Sequence, residues 1–192
     1  SRDGFYGAVY VNHEKQQIVL ALQGSKATND IISCIHLVFD AFDRQWVCAK
    51  LFGELVLSRI AKDPKLQSYR VSLTGHSLGA AQAEFLSFLH DIPAVTFESP
   101  GVYRVLQTLY KDEVALKDPA SFKVRAYMPR PNIINTAKPH VGSLHRIYPP
   151  LPPKGIRAEN SDLLMGTIDS IKKITDIVSV PGLEKLAGGA VG

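Results

Sequence analysis

The chain has 192 residues, which fits one domain, and 45% of them are hydrophobic, enough for a buried core. The formal net charge is +4, but Lys and Arg are scattered. This excludes the basic stripe of a nucleic-acid-binding protein and leaves only weak attraction to anionic lipid surfaces. The two cysteines, Cys34 and Cys48, lie in apolar stretches, which indicates buried free thiols and is compatible with the cytoplasm. We expect no signal peptide, transmembrane segment, metal or organic cofactor. Because the chain starts without methionine, we treat 1–192 as one domain that can be a fragment of a longer protein.

Strands and helices are predicted to alternate along the first third of the chain. An alternating run rich in Tyr and Val predicts a strand at Phe5–Val11. The continuous apolar run Ile18–Leu22 is typical of a strand buried on both faces. A helix is expected to run from Asn29 or Asp30 to Phe42, and another from about Arg44 to Ala61.

The same alternation continues to the end of the chain. The elements expected there are a strand at Tyr69–Thr74, a helix at Ala80–Leu89, a strand at Ala94–Phe97, a helix at Tyr103–Lys111, strands at Phe122–Met128 and His145–Tyr148, and a helix at Asp162–Val178. Residues 179–192 are expected to form a flexible tail. This order predicts an α/β fold with a mostly parallel central sheet and helices on both faces.

The strongest motif in the chain is Gly75-His76-Ser77-Leu78-Gly79, which fits the Gly-x-Ser-x-Gly pattern of a nucleophile elbow. In an elbow the chain turns sharply from a strand into a helix, so the serine adopts a strained backbone conformation. The residues two positions before and after it must then be nearly bare, and Gly75 and Gly79 satisfy that need. A predicted strand ends at Thr74 and a helix is predicted after the serine. We therefore predict that Ser77 is a catalytic nucleophile at the positive end of a helix.

Over residues 5–145 the sequence resembles the class 3, or fungal-type, lipases of the α/β-hydrolase superfamily. The segment Val71–Ala81 is similar to the elbow of that family. The segment Ala94–Gly101 is similar to its Thr-Phe-Gly-Ser-Pro phrase, with Glu98 where glycine is usual, and Ala21–Ser25 is similar to its Phe-Arg-Gly-Thr/Ser phrase. His140-Val141-Gly142 resembles another recurrent phrase. The resemblance implies an α/β-hydrolase fold.

The resemblance also implies an oxyanion hole. Its donors would be the N–H of Leu78, directly after the nucleophile, and Ser25 through its backbone N–H and hydroxyl. Ser25 can alternatively be a helix or turn cap. In the family the next segment forms a mobile lid, so residues 26–45 are either such an amphipathic cover or a packed core helix.

The acid and the base of a triad are harder to assign. The family places an aspartate after the strand that matches Phe122–Met128, and the aligned residue here is Asn132. An asparagine can orient a histidine but cannot stabilise an imidazolium by charge, so a large loss of rate is expected. Asn132 can also be simply a turn residue that follows a proline.

The family carries its catalytic histidine near the end of the domain, where this chain reads Gly166-Thr167-Ile168-Asp169. No histidine follows His145. His140 and His145 come after the predicted acid strand and are therefore the candidate bases, although the family treats the position of His140 as non-catalytic.

Two functions fit these residues. The first is a serine hydrolase that acts on carboxylic esters, in particular lipid acyl esters, through an acyl-enzyme on Ser77. The second is a lipase-like pseudoenzyme that has lost its acid and base and binds a lipid or a protein partner. The intact elbow favours the first function, whereas Asn132 and Gly166 favour the second. A third explanation is that the chain is truncated and the full protein carries the histidine downstream.

Overall fold

The structure is a computed structural model that describes residues 5–24, 44–115, 117–132, 134–148 and 184–186. Its seven strands are β1 (Gly7–Asn12), β2 (Gln17–Leu22), β3 (Arg70–His76), β4 (Ala94–Phe97), β5 (Val124–Met128), β6 (Ser143–Arg146) and β7 (Glu184–Leu186). Its helices are α1 (Arg44–Lys62), α2 (Leu78–His90), α3 (Tyr103–Leu109) and α4 (Lys111–Ala115), with a 3₁₀ turn at Pro119–Ser121.

The strands form one sheet in the order β6-β5-β4-β3-β2-β1-β7. Strands β2 to β6 run parallel to their neighbours, whereas β1 is antiparallel to β2 and β7 is antiparallel to β1. The prediction of a mostly parallel sheet in an α/β fold is confirmed. Strand β7 lies within residues 179–192, where the sequence predicted a tail, and it extends the sheet beyond β1.

The predicted elements inside the described ranges are present, with ends that differ from the predicted bounds by up to two residues. The helix expected at Tyr103–Lys111 ends at Leu109, and α4 begins as a separate helix at Lys111. Strand β6 begins at Ser143, before the predicted start. The helices predicted at 29–42 and 162–178 lie outside the described residues.

The main core lies between one face of the sheet and the helices α1, α2 and α3. Helix α2 is buried from Leu78 to Ser87, because it packs directly against β2, β3 and β4. Trp46 of α1 and Phe85 of α2 are almost completely buried and meet edge to face at 5.3 Å between ring centroids. Burial of this apolar surface, worth about 25 cal/mol per Å², fixes α2 at the end of β3 that carries the elbow.

The other face of the sheet carries four rings on neighbouring strands. Strand register places His76, Phe97, Tyr127 and His145 side by side on β3, β4, β5 and β6. The ring of Phe97 stacks on Tyr127 at 5.7 Å, and Tyr127 stacks on His145 at 5.1 Å. We refer to these four side chains as the ring row. Its first member directly precedes Ser77, so the row begins at the elbow.

The sequence also made predictions about the cysteines and about membrane-spanning helices. Cys48 on α1 is half-buried and carries a free thiol, whereas Cys34 lies outside the described residues. No helix of the described residues combines the length and the apolar character that crossing a bilayer requires.

Candidate active site

Ser77 occupies a strained turn between β3 and α2. Its backbone angles are φ 54° and ψ −125°, a region that residues other than glycine rarely adopt. Such strain persists only where the surroundings impose it, and it concentrates at functional positions. The Ser77 N–H donates to the carbonyl of Phe97 at 3.1 Å, and the Ser77 carbonyl accepts from Ala80 N–H at 3.0 Å. The turn is therefore held both by the neighbouring strand and by the helix it starts.

The two glycines of the motif are required by close backbone contacts. A Cβ on Gly75 would collide with the carbonyl of Gly79, and a Cβ on Gly79 would collide with the carbonyl of Leu22. Both obstacles are backbone atoms, which cannot move aside as a side chain can. The spacing of the elbow motif is thus explained by the approach of α2 to β2 and β3.

One of the two predicted oxyanion donors lies within the described chain. Leu78 is the first residue of α2, so its N–H is among the helix-terminal groups that have no intrahelical acceptor. Ser25 lies outside the described residues. Gly24, directly before it, lies against the elbow, since a Cβ there would be 2.6 Å from the His76 carbonyl oxygen and 3.3 Å from Ser77 Cβ. The end of β2 therefore approaches the nucleophile closely.

Asn132, at the predicted acid position, forms a turn. Its Oδ1 accepts from the backbone N–H groups of Ile134 at 2.9 Å and Asn135 at 3.0 Å. Its backbone carbonyl also accepts from the hydroxyl of Thr136 at 2.6 Å. The oxygen that could orient an imidazole is thus occupied by the loop itself, which favours the turn interpretation of Asn132 over the acid interpretation.

The remaining side-chain group of Asn132 points to a carboxylate that the sequence analysis did not assign to the site. Its Nδ2 donates to Glu98 Oε1 at 2.5 Å. The other carboxylate oxygen of Glu98 lies 3.4 Å from Nε2 of His76. Glu98 is only 4% exposed and has a positive φ of 51°, although it is not glycine. The only signal for this role in the sequence is Glu98 itself, in a place where the related phrase has glycine.

His140, the first candidate base, is held by the loop that follows β5. Its Nε2 donates to the carbonyl of Asn135 at 2.8 Å, and its Nδ1 is buried without a partner among the described residues. Burial lowers the pKa of His140, so the neutral ring is favoured. The hydrogen bond to Asn135 ties the ring to the loop that begins at Asn132, and the described residues do not join it to Ser77.

His145, the second candidate base, lies at the far end of the ring row. It is three strands away from β3, which corresponds to about 14 Å at the usual spacing of strands. Its Nε2 meets the hydroxyl of Ser143 at 3.2 Å. The structure does not bring this imidazole within hydrogen-bond reach of Ser77.

The other histidines have separate surroundings. His13 meets the Tyr69 hydroxyl at 3.0 Å, at the opposite end of β2 and β3 from the elbow, and His90 ends α2. His36 lies outside the described residues. Among the described residues, no cluster of three His, Cys, Asp or Glu side chains is arranged to hold a metal ion.

A second carboxyl group is buried beneath the elbow helix. Glu84 of α2 has no exposed surface and accepts from the Thr96 hydroxyl at 2.8 Å, while its Oε2 has no hydrogen-bond partner among the described residues. Burial raises the pKa of Glu84 to about 7, against the smaller opposing effect of hydrogen bonds from Thr96 and Ser99. The carboxyl joins α2 to the end of β4, on the face of the sheet opposite the ring row.

Comparison with known proteins relates the chain to lipases. No protein-family model matches it. It is 29% identical to the uncharacterized protein RP165 of Rickettsia prowazekii over 159 residues, which cover 76% of this chain and 43% of that protein. It is also 29% identical to the putative lipase ATG15 of Candida glabrata over 140 residues, which cover 52% of this chain and 27% of that protein. The chain therefore spans less than half the length of these relatives.

Solved structures agree with this relation. A fungal lipase superposes with a TM-score of 0.56 at 17% identity, covering 84% of this chain and 64% of that chain. The crystal structure of a mutant of MDLA from Penicillium cyclopium gives a TM-score of 0.55 at 16% identity with the same coverage. At these identities the likeness concerns the fold. Together with the sequence relatives and the elbow, it identifies a lipase-like chain with the α/β-hydrolase fold of the fungal lipases.

Proposed function

We propose that this chain hydrolyses carboxylic esters, in particular lipid acyl esters, through an acyl-enzyme on Ser77. The observation that carries the proposal is the strained conformation of Ser77 at the junction of β3 and α2. A structural serine in a strand-to-helix turn has no need of a positive φ, whereas a nucleophile that must project from the turn does.

In the proposed reaction, Ser77 Oγ adds to the ester carbonyl and the negative charge develops on the carbonyl oxygen. The Leu78 N–H, aided by the positive end of α2, stabilises that charge. The C–O bond of the ester then breaks and the alcohol leaves with the proton that Ser77 Oγ has given up. Water hydrolyses the acyl-enzyme, which releases the carboxylic acid and restores the Ser77 hydroxyl. Ser25 is proposed as the second donor, because the segment that precedes it lies against the elbow.

The second candidate is a lipase-like protein that binds a lipid or a partner without hydrolysis. It is favoured by the occupied side-chain oxygen of Asn132 and by the distance of His145 from the elbow. Both candidates keep the same fold and differ in whether the Ser77 hydroxyl is activated.

A fluorophosphonate probe distinguishes the two candidates, because it reacts with activated serines. Under the hydrolase proposal the wild type is labelled, Ser77→Ala is not, and Ser87→Ala on the same helix retains labelling. Absence of labelling in a wild-type chain with a cooperative unfolding transition would establish the non-hydrolytic candidate instead.

A further inference from the structure

Glu98 is a buried carboxylate that neither the sequence analysis nor the comparisons assign to the site. It follows β4 directly, and its backbone N–H donates to the Tyr127 carbonyl at 2.9 Å. Phe97, the residue before Glu98, accepts a hydrogen bond from the Ser77 N–H through its carbonyl. The nucleophile and Glu98 therefore lie next to each other at the ends of adjacent strands. The carboxylate therefore stands beside the elbow.

Both the backbone conformation and the burial of Glu98 are energetically unfavourable for a glutamate. A positive φ is unfavourable for any residue with a Cβ, whereas glycine adopts it freely. A carboxylate that is 4% exposed has also lost most of its hydration. Such a group is retained where its contacts or its charge compensate, and two contacts are present: Asn132 Nδ2 at 2.5 Å and His76 Nε2 at 3.4 Å.

These two contacts join the separate parts of the site. His76 is the residue before the nucleophile, and Asn132 begins the loop after β5, where the acid was predicted. The side-chain oxygen of Asn132 accepts hydrogen bonds within the turn, and its Nδ2 donates to Glu98. Asn132 therefore positions a carboxylate and does not replace one. Among the described residues that end strands β3 to β5 or directly follow them, Glu98 is the only carboxylate.

We propose that Glu98 is the anionic positioning residue of this site. It holds the imidazole of His76, the residue before Ser77, in place and supplies the negative charge that Asn132 lacks. When Ser77 reacts, its hydroxyl gives up a proton to a base, and a base that accepts a proton becomes a cation. A negative charge beside the elbow stabilises such a cation and therefore favours the proton transfer. The inference rests on the proposed hydrolysis, because its effect is exerted on the reactivity of that serine.

The test compares the full chain with Glu98→Gln, Glu98→Asp and a surface control, Glu54→Gln on α1, whose side chain is 47% exposed. Labelling by the fluorophosphonate and hydrolysis of p-nitrophenyl butyrate are measured with thermal unfolding. Glu98→Gln keeps the size and removes the charge, so we expect kcat to fall about tenfold or more, with little change in KM. Glu98→Asp keeps the charge and should remain within about threefold of wild type, as should Glu54→Gln.

A second comparison separates charge from stability. Glu98→Gly removes the strained backbone, so the chain should unfold at the same or a higher temperature while labelling as slowly as Glu98→Gln. The inference is overturned if wild type labels and a folded Glu98→Gln labels at the same rate. It is also overturned, together with the proposed hydrolysis, if folded wild type labels no faster than Ser77→Ala.

Discussion

The nucleophile side and the acid side of this site are built in different ways. The glycines that make room for the Ser77 turn lie within the motif Gly75–Gly79, although the turn also contacts Phe97 on β4 and Gly79 approaches Leu22 at the end of β2. The acid side is assembled from Glu98, Asn132 and Asn135, which come from two separate loops. A local constraint leaves a spacing of glycines that can be recognised in the sequence, whereas a constraint between distant loops leaves only single substitutions. The elbow can therefore remain recognisable while the residues that support it change.

The largest effect is expected from a side chain placed at the elbow. Gly79→Ala puts a Cβ against the Leu22 carbonyl, so the free energy of unfolding should fall by about 3 kcal/mol or more, measured by urea denaturation. The matched control is Gly53→Ala on α1, whose Cβ would meet the flexible Leu86 side chain at 3.0 Å. Similar losses for the two variants would contradict the close approach of α2 to β2.

The next effect concerns the buried carboxyl beneath the elbow. Glu84 has a pKa of about 7 in the folded chain, above its ordinary value of 4.5, so folding favours its protonated form. Its contribution to stability is complete below pH 4.5 and is lost as pH rises toward 7, a change of roughly 3 kcal/mol. Glu84→Gln should remove that part of the pH dependence. Parallel stability curves for wild type and Glu84→Gln between these pH values would contradict the burial of an acidic proton.

A smaller effect is expected at the loop on the acid side. Asn132→Ala removes the hydrogen bonds that close the turn and should lower the free energy of unfolding by about 1–2 kcal/mol while slowing the labelling of Ser77. Asn12→Ala is its control, because Asn12 Oδ1 accepts from Lys15 N–H at 2.8 Å in a turn at the other end of the sheet. The control should lose stability but label normally, and an equal loss of labelling would show that both act through stability alone.

The smallest effect is expected at the far end of the ring row. His145→Ala removes a ring about three strand spacings from the elbow, so the labelling rate of Ser77 should stay within about twofold of wild type. A loss of labelling in a folded His145→Ala variant would restore His145 as a candidate base and contradict the placement of the site at β3.

The same division governs what could be predicted from the residues. The apolar runs of β2 and β4 and the Gly-x-Ser-x-Gly spacing express local rules, so they predicted the parallel sheet and the elbow correctly. Asn132 was placed by alignment at the acid position, but alignment cannot show that its oxygen closes a turn. The departure from glycine at Glu98 was visible in the sequence. Its meaning depended on contacts with residues 22 and 34 positions away, which no local pattern encodes.

The most direct test of the central claim is to find the acyl group. The chain is mixed with a p-nitrophenyl ester, quenched at short times, and examined by intact mass and peptide fragmentation. The account predicts a transient acyl group on Ser77 that is absent in Ser77→Ala, together with loss of p-nitrophenol release in that variant. Ester turnover that persists in Ser77→Ala, or a folded wild type with neither acyl group nor turnover, would contradict it.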